Sequence, residues 1–215
     1  MVKIKFCGLT RPEDVLRAEE LAADFIGFNC YRKSPRFVPP KELSGLCGLV
    51  RQAGKVAVFV NSGEMEIRRV ADSAEIDFIQ LHGNETPEFC RLISRKTGKP
   101  VIKAFRLAAG EDLPLLEAYR EAAEYFLLDA RIPGSYGGTG RVFPWKLAVA
   151  ARKFGRPFFL AGGLTPENVA EACRLVRPFA VDTAGGCEAA PGIKSREKMR
   201  LFAAQVRSVN KAQKI

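Results

Sequence analysis

Cys7 closes the run KIKFC, and Gly8, Leu9 and Thr10 follow at once. A thiol takes a proton only as its thiolate, which needs nearby positive charge or hydrogen-bond donors. Asp129 closes a second apolar run, YFLLDA. A carboxyl gives up a proton near neutral pH only where its surroundings raise its pKa. A lone cysteine at the end of a strand is also a common packing residue, so two readings of Cys7 stand side by side. Set on opposite sides of one cavity, the thiol and the carboxyl would suit a reaction that moves protons on and off a bound substrate.

Something must hold these groups in place, and the pattern of the chain says what. Short β-branched or aromatic runs recur at 2–7, 25–30, 55–60, 77–82, 100–105, 125–130, 157–162 and 179–184. Near-continuous apolar runs of this kind suit parallel strands buried on both faces. Amphipathic stretches lie between them. RPEDVLRAEELA opens with a proline and first-turn acids, as a helix start should, and GEMEIRRVADSA, TPEFCRLISRKTG, GEDLPLLEAYREAA and TPENVAEACRLV follow the same plan. Both Thr-Pro-Glu triplets predict an N-cap, a proline in the first turn and an acid. Eight strands alternating with eight helical segments predict a single (β/α)8 barrel, the TIM-barrel form of the α/β class, over residues 1–215. An open doubly wound sheet is the second choice.

Barrels of this kind keep their chemistry at the C-terminal strand ends. That rule selects Cys7, Asn29, Cys30, His82, Phe105, Asp129, Gly162, Gly163 and the stretch from Asp182 to Gly186. Gly162 and Gly163 follow the seventh run; Ala184, Gly185 and Gly186 follow the eighth. Glycines let the backbone approach an anion, and free amides supply donors. The loops after strands seven and eight are the usual phosphate site of such barrels. His82 is the single histidine. At a strand end it is a candidate for substrate contact or for a structural hydrogen bond between loops. Alternation adds an expectation about the interior. If Cys7 points inward, so does Lys5, and a buried ammonium needs a carboxylate. Asp182 on the closing strand is the expected partner, and the cation is expected to lower the pKa of Cys7.

The formal net charge of +10 fits nucleic acid, steering of an anionic small molecule, or a merely basic surface. RNA-module signatures are absent, and the six cysteines form no Cys-x-x-Cys pair, which argues against zinc. No run of about 18 apolar residues predicts a membrane span, and the N-terminus reads as strand rather than as a signal core. The expectation is a cytoplasmic protein with free thiols and no nucleic-acid or membrane partner.

The stretches KFCGLT (5–10), RKSPRFV (32–38), FVN (59–61), QLHGNE (80–85), LLDA (127–130), YGGTGRVFPW (136–145), AGGLTPENV (161–169), VRPFAVD (176–182) and PGIKS (191–195) run in order along nearly the whole chain. Together they resemble the phosphoribosylanthranilate isomerases of tryptophan biosynthesis. The resemblance implies a (β/α)8 barrel, an aldose–ketose isomerisation of the Amadori type, a small phosphorylated substrate, no metal or organic cofactor, and a monomer or homodimer. It places Cys7 as general base, Asp129 as general acid and Arg36 on the anthranilate carboxylate. His82, Gly162, Gly163, Ala184, Gly185 and Gly186 would complete the substrate site. One departure is visible: the family's D-V-S-S-G-V-E reads DTAGGCE here, so both serine hydroxyls are missing and phosphate binding would fall to backbone amides.

Related barrels fit less well. A histidine-pathway isomerase would carry aspartates at the first and fifth strand ends, where Cys7 and Ala104–Phe105 stand. An indole-glycerol phosphate synthase would need a catalytic lysine where Phe59-Val60-Asn61 stands, and metal-dependent epimerases would need more than one histidine. A non-enzymatic basic binding protein would have no use for Cys7 or Asp129.

Overall fold

The computed structural model describes residues 1–130 and 144–212, so the GGTG stretch at 137–140 lies outside the described residues. Eight parallel strands close into a barrel in the order of the chain. They are β1 (Lys3–Cys7), β2 (Phe25–Asn29), β3 (Gly54–Phe59), β4 (Phe78–Leu81), β5 (Val101–Leu107), β6 (Tyr125–Ala130), β7 (Phe158–Leu160) and β8 (Ala180–Thr183). β8 closes on β1 with Lys5 opposite Asp182, and β1 meets β2 with Cys7 opposite Gly27.

The helices α1 (Pro12–Glu20), α2 (Pro40–Cys47), α3 (Glu64–Ser73), α4 (Pro87–Thr97), α5 (Trp145–Ala151), α6 (Val169–Val176) and α7 (Arg196–Ala212) wrap the outside. Their apolar faces and the outward side chains of the strands form the larger core. A smaller core fills the barrel and includes Cys7, Phe25, Val56, Ile102, Leu127 and Phe159. Its floor is aromatic: Phe25, Phe78, Tyr125, Phe159 and Phe179 meet edge-on or tilted, and Lys3 Nζ sits 4.8 Å from the Phe179 ring centre. This floor closes one end, so polar groups gather at the other.

Three local features depart from the expected plan. The stretch GEDLPLLEAY forms a 3-10 helix (Gly110–Tyr119) rather than an α-helix, with Pro114 inside it. Proline removes a backbone donor that an α-helical ladder requires. The first Thr-Pro-Glu caps its helix as expected, with Thr86 Oγ1 accepting from Phe89 N at 3.3 Å. The second does not: α6 starts only at Val169. Asn168 explains the delay, since its Oδ1 accepts from Thr165 N while its Nδ2 donates to Gly163 O, tying this turn to the glycine loop. Finally, strict alternation misses a small antiparallel hairpin between β8 and α7, made of β9 (Glu188–Ala190) and β10 (Ile193–Lys194).

Candidate active site

Asp129 lies at the end of β6, and its cleft is lined by Ala161, Gly162, Gly163, Leu164, Asp182, Thr183, Ala184, Gly185 and Gly186. The two glycine strand ends therefore share one cavity with the carboxyl. Gly162 and Gly163 adopt φ of +84° and +67°, the left-handed region that favours glycine. A Cβ on Gly186 would stand 1.9 Å from the Leu164 carbonyl oxygen, so glycine is what lets the two loops touch. Thr183 Oγ1 bonds the same oxygen at 2.9 Å. A threonine thus holds the loops together, although the serines expected beyond it are missing.

Cys7 ends β1 with its side chain in the inner core. The alanine methyl that Gly27 lacks would lie 2.7 Å from Sγ, so β2 makes room for the thiol by having no side chain there. Below the thiol, Lys5 is fully buried. Its Nζ donates 2.8 Å to Asp182 Oδ1 and 2.9 Å to Gln80 Oε1. The expected ion pair is present, with a glutamine added. Burial alone would pull the Lys5 ammonium down, but Asp182 and then Cys7 outweigh it and the net shift is upward.

Lys5 pulls the Cys7 thiol down, as expected, but it does not set the net direction. Burial is the largest influence and pushes Cys7 up; Lys5 pulls it down, Asp182 pushes it up again, and Lys194 pulls it down. The net shift is upward, not downward. The cations moderate the cost of a buried thiolate without reversing it. A thiolate formed here is scarce but strongly basic.

Arg36, in the loop after β2, is buried rather than a solvated surface charge. It crosses over Gly8, where a Cβ would stand 2.4 Å from Arg36 Cδ and where φ is +73°. Its Nε and one Nη donate to the two oxygens of Glu188 at 2.8 and 2.7 Å. That bidentate bond fixes the guanidinium plane. Lys194 Nζ donates to Glu188 Oε1 at 2.9 Å, to the Cys7 carbonyl at 2.6 Å and to the Ala184 carbonyl at 3.0 Å. One buried ammonium therefore ties the arginine clamp, the end of the thiol strand and the eighth-strand loop together.

His82 stands beside Asp129, with Nε2 3.4 Å from Oδ2. Its loop is held from behind: Glu85 accepts from Gly83 N and Asn61 N and pairs with buried Lys103 at 2.9 Å. Cys7, Arg36, His82, Asp129 and the two glycine loops thus lie at the same end of the barrel, whereas Cys30 and Phe105, also selected as strand ends, turn outward into the core beneath the helices. Gln80, Glu188 and Lys194 were not selected. Gln80 could have been found by alternation, two residues before His82 on the same inward face. Glu188 and Lys194 sit on the hairpin, which the strand–helix pattern does not announce. The other five cysteines are buried and free, and burial pushes Cys30, Cys47, Cys90, Cys173 and Cys187 each up to about 12.

A closed parallel barrel with titratable groups at one mouth and paired glycines after its last two strands is a (β/α)8 barrel of the phosphate-binding class. Within that class the chain belongs to the N-(5'-phosphoribosyl)anthranilate (PRA) isomerase family, whose model matches residues 4–205. It is 47% identical over 203 residues to the N-(5'-phosphoribosyl)anthranilate isomerase of Geobacter metallireducens, covering 94% of this chain and 97% of that one. The phosphoribosyl anthranilate isomerase of Thermotoga maritima superposes with a TM-score of 0.90 at 37% identity, covering 97% of this chain and all of that one. A phosphoribosyl anthranilate isomerase solved with reduced 1-(o-carboxyphenylamino)-1-deoxyribulose 5-phosphate matches at a TM-score of 0.87 and 36% identity, with the same coverage.

Proposed function

We propose that this chain is a phosphoribosylanthranilate isomerase, converting N-(5'-phosphoribosyl)anthranilate into 1-(2-carboxyphenylamino)-1-deoxyribulose 5-phosphate in the cytoplasm. The observation that carries the reading is the convergence, at one barrel mouth, of an inward thiol, a buried carboxyl and the two glycine strand ends, in a chain of this family.

Asp129 protonates the furanose ring oxygen. The C1–O bond breaks, and the anilino nitrogen lone pair forms the C1=N bond of a cationic Schiff base. Cys7 then takes the proton from C2, and the electron pair of that bond moves into C1=C2 as the iminium is neutralised. The resulting enolamine loses the O2 proton and gains one at C1, giving the ketone. The upward-shifted thiol suits this order. Its thiolate is needed only once a cationic Schiff base lies beside it, where opposite charge favours the charged form.

The glycine loops take the phosphate on backbone amides. Arg36 takes the anthranilate carboxylate, a fork that a lysine would not reproduce. Expression in a tryptophan auxotroph lacking the isomerase tests the reading. Growth without tryptophan, with consumption of the fluorescent anthranilate substrate by the purified protein, is expected. Failure of both would overturn it.

A further inference from the structure

Three inward side chains that the mechanism does not use, Lys5, Gln80 and His82, lead to Asp129. Lys5 Nζ donates to Gln80 Oε1 at 2.9 Å. Gln80 Nε2 lies 2.8 Å from His82 Nδ1. His82 Nε2 lies 3.4 Å from Asp129 Oδ2. Lys5, Gln80, His82 and Asp129 are all buried. An ammonium has donors and no acceptor, so Gln80 must turn its oxygen toward Lys5 and its NH2 toward the ring. Nδ1 must then accept, and the ring hydrogen sits on Nε2. Among the described residues, no well-formed hydrogen bond satisfies this buried Nε2. His82 is 8% exposed, and its unused donor lies beside Oδ2 of Asp129, which itself lines the cleft.

We propose that Gln80 is a positioning residue that transmits the fixed polarity of Lys5 to His82, so that the ring presents N–H rather than a lone pair to Asp129. The proposal rests on the reading of Asp129 as proton donor. While Asp129 keeps its proton, its contact with Nε2–H is weak. As the proton passes to the substrate oxygen, negative charge develops on the carboxylate, and Nε2–H donates to it. His82 keeps its own hydrogen throughout. An interaction that strengthens only as charge develops lowers the barrier rather than tightening substrate binding. The opposite tautomer would set a lone pair against the new charge.

The chain holds one histidine, so nitrogen-15 NMR of the imidazole reads this residue alone. In the wild-type enzyme, Nδ1 should show the resonance of an unprotonated ring nitrogen and Nε2 that of a protonated one. Gln80→Glu offers a carboxylate to Nδ1 and should move the hydrogen there, with kcat falling on the order of 100-fold and KM changing less than about threefold. A wild-type spectrum with the hydrogen on Nδ1 would overturn the proposal. So would a Q80E enzyme whose hydrogen has moved while kcat stays within about twofold. Should Q80E not fold, the wild-type spectrum still decides the tautomer, and two histidine variants decide the donor. H82Q places an amide nitrogen near the Nε2 position and should keep kcat within about tenfold, whereas H82N reaches only the Nδ1 position and should lose about 100-fold. Equal losses would overturn the donor role. Full turnover by D129N would instead remove the proton-donor reading, while the spectrum would still report the tautomer.

Discussion

Two glycines set the geometry around the thiol by leaving space where a side chain would stand. Gly27 leaves the space that Sγ fills, and Gly8 leaves the space over which Arg36 lies. Gly27→Ala should force the thiol or β2 aside, lowering kcat about 10-fold to 100-fold and stability by about 1–3 kcal/mol. Steady-state kinetics beside thermal unfolding would check it; wild-type turnover in G27A would show that the thiol need not sit there. The upward shift of Cys7 also fixes a sign. A base that is mostly protonated at neutral pH gains its active form as pH rises. Alkylation of Cys7, which reads the thiolate alone, should therefore speed up from pH 7 toward 9 instead of levelling at neutrality, and timed labelling across pH tests this; a rate that levels at neutrality would contradict the upward shift. Cys7, Asp129 and both glycine pairs were legible in the sequence because strand ends and period-two alternation are local patterns. The direction of the thiol shift was not, because it depends on how burial, Lys5 and Asp182 balance in three dimensions.

The β9–β10 hairpin is the element the sequence pattern concealed, being too short to produce periodicity. The barrel strands were readable because each is a continuous apolar run. The hairpin supplies Glu188 and Lys194, which join Arg36, Cys7 and Ala184. Burial would raise Glu188, but Arg36 and Lys194 outweigh it and hold the carboxyl below its ordinary value of 4.5. A carboxyl depressed in the folded state contributes stability above its unfolded pKa and loses it as pH falls through the folded value. Glu188→Gln should therefore cost about 3 kcal/mol at pH 7, since it strands two buried cations. The deficit should shrink as acid protonates the wild-type carboxyl. Denaturant unfolding at pH 7 and in acid would show it, and a deficit independent of pH would assign Glu188 a packing role only. Because the clamp orients Arg36, the same variant should raise KM more than it lowers kcat.

The whole barrel separates a sealed aromatic floor from a polar mouth, and its thiols report that separation. All six cysteines are buried, and five are pushed up to about 12 by burial. At pH 7.5 the native protein should resist alkylation, Cys7 at the mouth should react first, and unfolding should release six thiols; mass spectrometry of timed iodoacetamide labelling decides it. Early labelling of Cys90 or Cys173 would mean that the helices open more readily than this packing allows. The barrel topology was legible because alternation of strand and helix leaves few alternatives for a chain of this length. The polar network inside it was legible only in part: the Lys5–Asp182 pair follows from adjacency of the first and last strands, whereas the links through Gln80 and His82 need the registers of strands four and six. The central claim is that Cys7 and Asp129 act as base and acid on one substrate held at this mouth. Steady-state turnover of N-(5'-phosphoribosyl)anthranilate by Cys7→Ser and by Asp129→Asn tests it most directly. Each variant should lose about 1,000-fold or more in kcat while KM stays within about threefold. A kcat within about tenfold of wild type in either variant, or a loss carried by KM alone, would contradict it.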